Sequence, residues 1–473
     1  MDIKHIDVTA TIKQAKALLK KEKQISPALR TVMDILLMVL EVLLQRFNLN
    51  SKNSSKPPSS DPNRKKTSKQ KNTSNRKPGG QPGRIGKQLK PVDNPDEIKE
   101  IKIDKRSLPK GDYTEAGYEA RQVVDILVSA NITEYRAQVL MNSAGNRYVA
   151  PFPDFVKRPI QYGPGMKASS VYQSQYQLIP YHRVEDYFKD QAGIPISPGS
   201  LFNFNQEAYR RLEDFEQIAK DKLIHSHCLH TDETGINING KRLWLHTACN
   251  DKWTHCYAHA KRGSEAMDEI GIIPNFQGVL CHDHWKPYYK YACLHALCNA
   301  HHLRELEWSA VEDTQPWAAK LKQFLLDLNV KVDNEDGKLS ELECAKVREQ
   351  YRAILAKGQI ECPAPKEKPK GQRGRIKKSK SRNLLERFIR YENDVLRFMT
   401  DELVSFTNNQ GENDLRMTKV QQKISGCFRS MEGAYIFCRI RAYLITCRKH
   451  DVDATEALEL LFEGKLPDFV DSS

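Results

Sequence analysis

The sequence predicts an α/β protein with a sheet at its core and a large helical insertion. Three observations predict it. Between residues 224 and 283 apolar runs alternate with turn residues: HSHCLHTD, then ININGKRLWLHTAC around an Asn239-Gly240 turn, then WTHCYAHA, then GVLCHD. A helix-like segment, KRGSEAMDEI, separates the third run from the fourth. Residues 303–400 then carry a strong helical pattern, and a further helical run follows Asn413.

The chain is expected to open with a helical module over residues 1–50. Ser26-Pro27 suits an N-cap and first helical position. Apolar residues follow at 29, 32, 36, 39 and 43, with a second row at 33, 37, 40, 44 and 47. Two adjacent apolar stripes need a partner, either a second copy of the chain or the remainder of this one. Residues 51–97 read as a basic linker rich in Ser, Asn, Pro and Lys, unable to form a core. Its Gly-Pro-Arg cluster, Pro78 to Gly86, suits a phosphate backbone or a minor groove. Residues 98–160 are expected to form a small strand-rich module, with runs such as QVVDILV. Residues 161–223 read as helical. Gly193 and Pro195 punctuate the segment and Ser197-Pro198 opens a second helix, as in either a DNA-binding helix-turn-helix or an ordinary helical hairpin.

Strand, hairpin, strand, helix, strand is the opening of a ribonuclease-H-like (retroviral-integrase-like) sheet. The catalytic core is therefore assigned to 224–302 and 401–450, split by a helical insertion at 303–400 that carries a basic loop at 357–382. Residues 451–473 are left as a C-terminal tail.

Charge is unevenly placed. The chain has 473 residues, a formal charge of +14 and a pI near 9.1. Residues 51–90 hold twelve Lys/Arg and one acid, and 357–382 hold ten Lys/Arg and two acids. These two segments exceed the whole-chain excess, so the remainder is slightly acidic. That distribution fits a polyanion partner better than a generally basic surface. No apolar leader follows Met1, and the run Ile35 to Leu44 is broken by Glu41 and too short for a bilayer of roughly 30 Å. The eleven cysteines include no C-x-x-C pair and none precedes Cys228, which points to a reducing cytoplasm.

Chemistry enters through carboxylates. Asp232 and Asp283 each end an apolar strand-like run, and Glu412 stands at the mouth of a helix followed by Arg416, Lys419, Lys423, Arg429, Arg439, Arg441, Arg448 and Lys449. A lone acid in a basic helical surface suits a group that holds a divalent metal against a polyanion. Three such acids would complete a two-ion site for phosphodiester chemistry. Each also has a structural alternative as a cap or turn residue. Asp232 and the following Glu233 could each be a turn or cap residue; Asp401, Glu402 and Asp414 compete with Glu412. Eleven of the fourteen histidines lie between His225 and His302, alongside six cysteines. His225, His227, Cys228 and His230 lie on one strand-like run, where side chains alternate faces, so no zinc is expected.

These blocks support a family resemblance. SSKPPSSD (54–61), RKPGGQPGRIG (76–86), QYGPGMKA (161–168), HTDET (230–234), HDHWKPYYKY (282–291), CNAHHLREL (298–306), SRNLLERF (381–388) and TNNQGENDLRMTKVQQKISGCFRS (407–430) occur in order. Together they resemble a DDE transposase of the insertion-sequence-66 family. The resemblance implies a DNA transposase, with Asp232, Asp283 and Glu412 as both catalytic and metal residues. It implies two Mg²⁺ or Mn²⁺ ions, endonucleolytic cleavage at mobile-element ends and strand transfer into target DNA. The implied partners are terminal inverted repeats, target DNA, further copies of the chain and element-encoded helper proteins, in a prokaryotic, nucleoid-associated setting. Lys65, Lys66, Arg76, Lys77, Arg84, Arg416, Lys419, Lys423 and Arg429 are candidate DNA contacts. CNAHHLREL resembles a C-x-x-H element that would set Cys298, His301 and Arg304 beside the catalytic acids in support. One departure stands out: the segment at 98–145, where family members often carry a cysteine zinc module, has no cysteine. The rival readings are a decayed transposase that only occupies element ends, and a ribonuclease-H-like nuclease without strand transfer.

Overall fold

The computed structural model describes residues 2–3, 6–22, 24–47, 89–365, 376 and 378–471. The linker at 51–88, with Lys65, Lys66, Arg76, Lys77 and Arg84, lies outside the described residues, as does most of 366–377.

Two short strands, β1 (Asp2–Ile3) and β2 (Ile6–Asp7), precede helices α1 (Val8–Lys21) and α2 (Pro27–Phe47). Ser26 caps α2, its Oγ accepting the Leu29 N–H at 3.3 Å. Ile12, Leu19 and Leu37 are buried between the helices, and Lys16 pairs with Glu41 at 2.7 Å. The other stripe of α2, including Leu29, Val32, Leu36 and Val39, is exposed.

Residues 98–160 correct the sequence reading. Their regular strands are β3 (Val139–Met141) and β4 (Arg147–Val149), one short antiparallel hairpin. In the run expected to be a strand, Val123 is 92%, Ile126 84% and Leu127 90% exposed. β-branched composition describes what fits a half-buried pleated surface; here no neighbouring surface receives it.

Residues 161–223 are helical: α3 (Pro164–Val171), α4 (Tyr181–Ala192), α5 (Pro198–Arg211) and α6 (Glu213–Ile224). Gly193 ends α4 in a left-handed conformation, and Ser197 caps α5 by accepting the Ser200 N–H.

The sheet follows: β5 (Cys228–Ile238), β6 (Lys241–Cys249), β7 (Thr254–His259), helix α7 (Ser264–Ile270), β8 (Val279–His282) and β9 (Leu294–Leu297). Its order is β7-β6-β5-β8-β9. β5, β6 and β7 pair antiparallel; β8 lies parallel to β5 and β9 parallel to β8. Asn239 and Gly240 both adopt positive φ, the demand of a two-residue turn that joins twisted strands. The run HSHCLHTD does not end at Asp232, because the antiparallel partner β6 carries β5 on to the hairpin. The short strand β9 was not foreseen.

Helices α8 (Asn299–Val311), α9 (Pro316–Asn334), α10 (Glu341–Glu361), α11 (Lys380–Arg390) and α12 (Glu392–Leu396) form the insertion. Then come α13 (Asn409–Ser425), α14 (Met431–Lys449), α15 (Ala454–Glu463) and α16 (Asp468–Asp471). Strand alternation divides the core between the two sheet faces. Leu229 and Leu280 pack with α5, α6, α14 and α15; Cys228, Val279 and Cys281 pack with Leu306, Trp317, Leu321 and Tyr351 of the insertion. Of the expected tail at 451–473, residues 451–471 are described and are packed: Leu458, Leu461 and Val470 are buried in the first of these cores. Leu458 and Leu461, three residues apart, share one face of α15, and Val470 follows on α16. No helix among the described residues is long and apolar enough to cross a membrane.

Candidate active site at the β5–β8 edge

Asp232 lies within β5 and Asp283 immediately follows β8. The parallel register pairs His230 with Cys281. Carried two residues further, it sets Asp283 beside Asp232. Glu412 comes from the first turn of α13, which packs across β5.

Asp232 senses the other two acids. Burial pushes the Asp232 carboxyl up to about 8, and the negative charges of Glu233, Asp283 and Glu412 push the same way. Each acid keeps an oxygen for a ligand. Asp232 Oδ1 accepts the Glu233 N–H at 2.8 Å and Asp283 Oδ1 accepts the Trp285 N–H at 2.9 Å. Glu412 Oε1 is buried with no hydrogen-bond partner. His284, next to Asp283, holds φ at 70°. A non-glycine residue there stores strain of roughly 1–3 kcal/mol.

Carboxylate crowding of this kind fits a hard divalent cation: the donors are oxygens, one carboxyl is raised chiefly by burial and further by its acidic neighbours, and one oxygen is orphaned.

The competing acids are engaged elsewhere. Glu233 points to the opposite face of β5 from Asp232. It accepts from Arg262 Nε at 2.8 Å and from the Tyr288 hydroxyl at 2.6 Å. Burial raises its carboxyl, with the Tyr288 hydrogen bond and Arg262 opposing. Arg262 in turn stacks on Trp285 at 4.2 Å and Trp244 at 4.9 Å. Asp401 contacts His227, Glu402 pairs with Lys338, and Asp414 pairs with Lys449 and accepts from Thr254.

One residue that sequence reasoning missed holds the site together. Asn408, fully buried before α13, donates Nδ2–H to the Thr231 carbonyl at 2.8 Å and accepts from His230 Nδ1 at 2.9 Å. Its backbone N–H reaches Cys298 Sγ at 3.1 Å. It therefore fixes the N-terminus of α13 to β5 and to the start of α8. The signal was its place four residues before Glu412, where it reads as an ordinary cap.

Cys298 and His301 lie beside Glu412. His301 Nδ1 lies 3.9 Å from Glu412 Oε1. Burial raises the Cys298 thiol, while backbone N–H groups of Asn408, His301 and Ala300 oppose that rise. Arg304 lies one turn further along α8, half-buried.

The basic surface needs a correction. Arg416, Lys423 and Arg429 are exposed, and Lys419 reaches the Gly235 carbonyl at 3.0 Å. But Arg439 pairs with Glu216 at 2.6 Å, Arg441 is buried against the Tyr176 carbonyl, and Lys449 binds Asp414. Those three stabilise packing of α14, whose apolar faces turn them inward. The basic face belongs to α13 and the turn after it.

Residues 8–90 match a family of unknown function, DUF6444. No curated protein matches the chain. The family model "Transposase IS66 family" matches residues 159–436. That span is more than half of the chain and contains all three acids, so the chain belongs to the IS66 family of transposases.

Proposed function

We propose that this transposase-family chain cuts DNA at the ends of a mobile element and joins the freed ends to target DNA, with Asp232, Asp283 and Glu412 as the catalytic acids. The observation that carries the reading is the convergence of three sequence-distant acids on one sheet edge, within the span matched by a transposase family. The sheet order, with β8 and β9 parallel to β5 and the other two strands antiparallel, supports a ribonuclease-H-like core.

The acids would hold Mg²⁺ or Mn²⁺, which would supply Lewis-acid stabilisation of charge on the scissile phosphate. The chain's own residues do the rest. Asp232 and Asp283 present one oxygen each from neighbouring strands, and Asn408 keeps Glu412 against them. Exposed Arg416, Lys423 and Arg429 extend a cationic face for phosphates beside the acids. In the first reaction a water oxygen bonds to phosphorus and the 3′ oxygen leaves, taking a proton to become a hydroxyl. In the second, that hydroxyl bonds to a target phosphorus, loses its proton, and displaces a target 3′ oxygen.

The test is to incubate the full chain with labelled element ends, supercoiled target DNA and Mg²⁺. Joined products are the expected result. Cleaved ends without joined products would favour a nuclease; bound but uncut ends would favour a decayed end-binding protein.

A further inference from the structure

We propose that Cys298, His301 and Glu412 form a binding site for a zinc-class divalent cation, separate in chemistry from the all-oxygen position at Asp232 and Asp283. Donor atoms of these three residues all lie within 4.8 Å of one another. Two of them, His301 Nδ1 and Glu412 Oε1, are buried and hydrogen-bond to nothing among the described residues. They face a shared space 3.9 Å apart. Such atoms are costly to leave unmatched.

The third donor is already prepared. Cys298 Sγ accepts the Asn408 N–H at 3.1 Å, the arrangement that supports a metal thiolate from behind. Zinc takes Cys at about 2.3 Å and His or carboxylate near 2.0–2.2 Å, so tetrahedral donors lie roughly 3.3–3.6 Å apart. Closing the observed triangle needs movements of about 1 Å, within reach of χ rotation in Glu412 and His301. Three protein donors leave a fourth position open.

Thiolate and imidazole select zinc or cobalt over magnesium. The Cys-x-x-His spacing of Cys298 and His301 recurs in the sequence at Cys256/His259, Cys281/His284 and Cys447/His450, so spacing alone does not single it out; the third donor is brought by α13, far along the chain. A zinc ion held here occupies Glu412. On the reading that Glu412 is a catalytic acid, micromolar zinc therefore suppresses magnesium-dependent cleavage.

The experiment uses the full chain, reduced with a phosphine, and Co²⁺ as the probe. One equivalent should produce a near-ultraviolet sulfur-to-cobalt charge-transfer band. Zn²⁺ should bleach it and excess Mg²⁺ should not. Cys298→Ser should abolish the band, Glu412→Gln should weaken Co²⁺ binding by at least about tenfold, and Asp232→Asn should leave it intact. Absence of the band, or its persistence in Cys298→Ser, overturns the proposal. If Cys298→Ser fails to fold by circular dichroism, His301→Gln decides, and undiminished Co²⁺ affinity overturns it. The band reads metal binding alone, so a failure of the transposase reading would show separately, as an absence of DNA cleavage with the band intact.

Discussion

Two regions of this molecule use the same residue types to opposite effect. In 89–163, Val123, Ile126, Leu127 and Ile132 are between 84% and 92% exposed. In 164–471, Leu229, Ile236, Leu245 and Leu280 are at or near complete burial. Both regions offered β-branched, apolar runs bounded by turn residues. The difference lies in what each run faces: β5 has β6 on one side, β8 on the other and helices on both faces, whereas Val123, Val124, Ile126 and Leu127 lie open to solvent. Each buried side chain of this kind contributes roughly 1.5–3 kcal/mol. Folding free energy, and with it the precision of the acid cluster, therefore resides in 164–471.

The sharpest stability contrast is between two leucines. Leu245→Ala should cost about 2–5 kcal/mol, the usual range for a filled core position. Leu127→Ala should change stability by no more than about 0.5 kcal/mol. Urea denaturation measures both. A cost above about 2 kcal/mol for Leu127→Ala would mean that 89–163 packs against something and would break the comparison.

Asn408→Ala should come next, at about 1–3 kcal/mol, because it strands the Thr231 carbonyl and His230 Nδ1 in a buried place. It should also slow DNA cleavage, since Glu412 loses its anchor to β5. Destabilisation with unchanged cleavage would show that α13 is positioned by packing of Leu415 alone.

A smaller effect is expected from pH. The folded Asp232 carboxyl, pushed up to about 8, holds a proton that the unfolded chain has released. Stability contributed by the neutral form is present at low pH and is lost as pH rises toward the folded value. Buried His246 and His255 are lowered and work in the opposite sense below about pH 6.5. The window from about pH 6.5 to about 8 is therefore the informative one. In chelator, the melting temperature should fall across it, and Asp232→Asn should flatten that fall. Equal slopes in both proteins would remove Asp232 as the cause.

The sequence made part of this legible. Asn239-Gly240 marked the hairpin because few residue pairs tolerate two positive φ values. Ser26 and Ser197 marked helix starts because their hydroxyls satisfy free N–H groups. Asp283 was readable as a residue ending a strand. Asp232 does not end its strand but lies within it, since a strand's length depends on its partner. Asn408 was not legible, because its three contacts come from β5 and α8. Nor were the inward-facing roles of Arg439, Arg441 and Lys449, because charge counted along a helix does not reveal which face is buried. The last 20 or so residues looked like a tail for want of a visible partner.

The central claim is that Asp232, Asp283 and Glu412 act as one catalytic unit, and Glu412 is its most exposed assignment. The direct measurement is the cleavage rate of labelled element ends by Glu412→Gln in Mg²⁺, beside the affinity of the same protein for those ends. The account predicts a loss on the order of a thousandfold or more, matching the several kcal/mol that a correctly held metal contributes, with affinity nearly unchanged. Cleavage at the wild-type rate would contradict it.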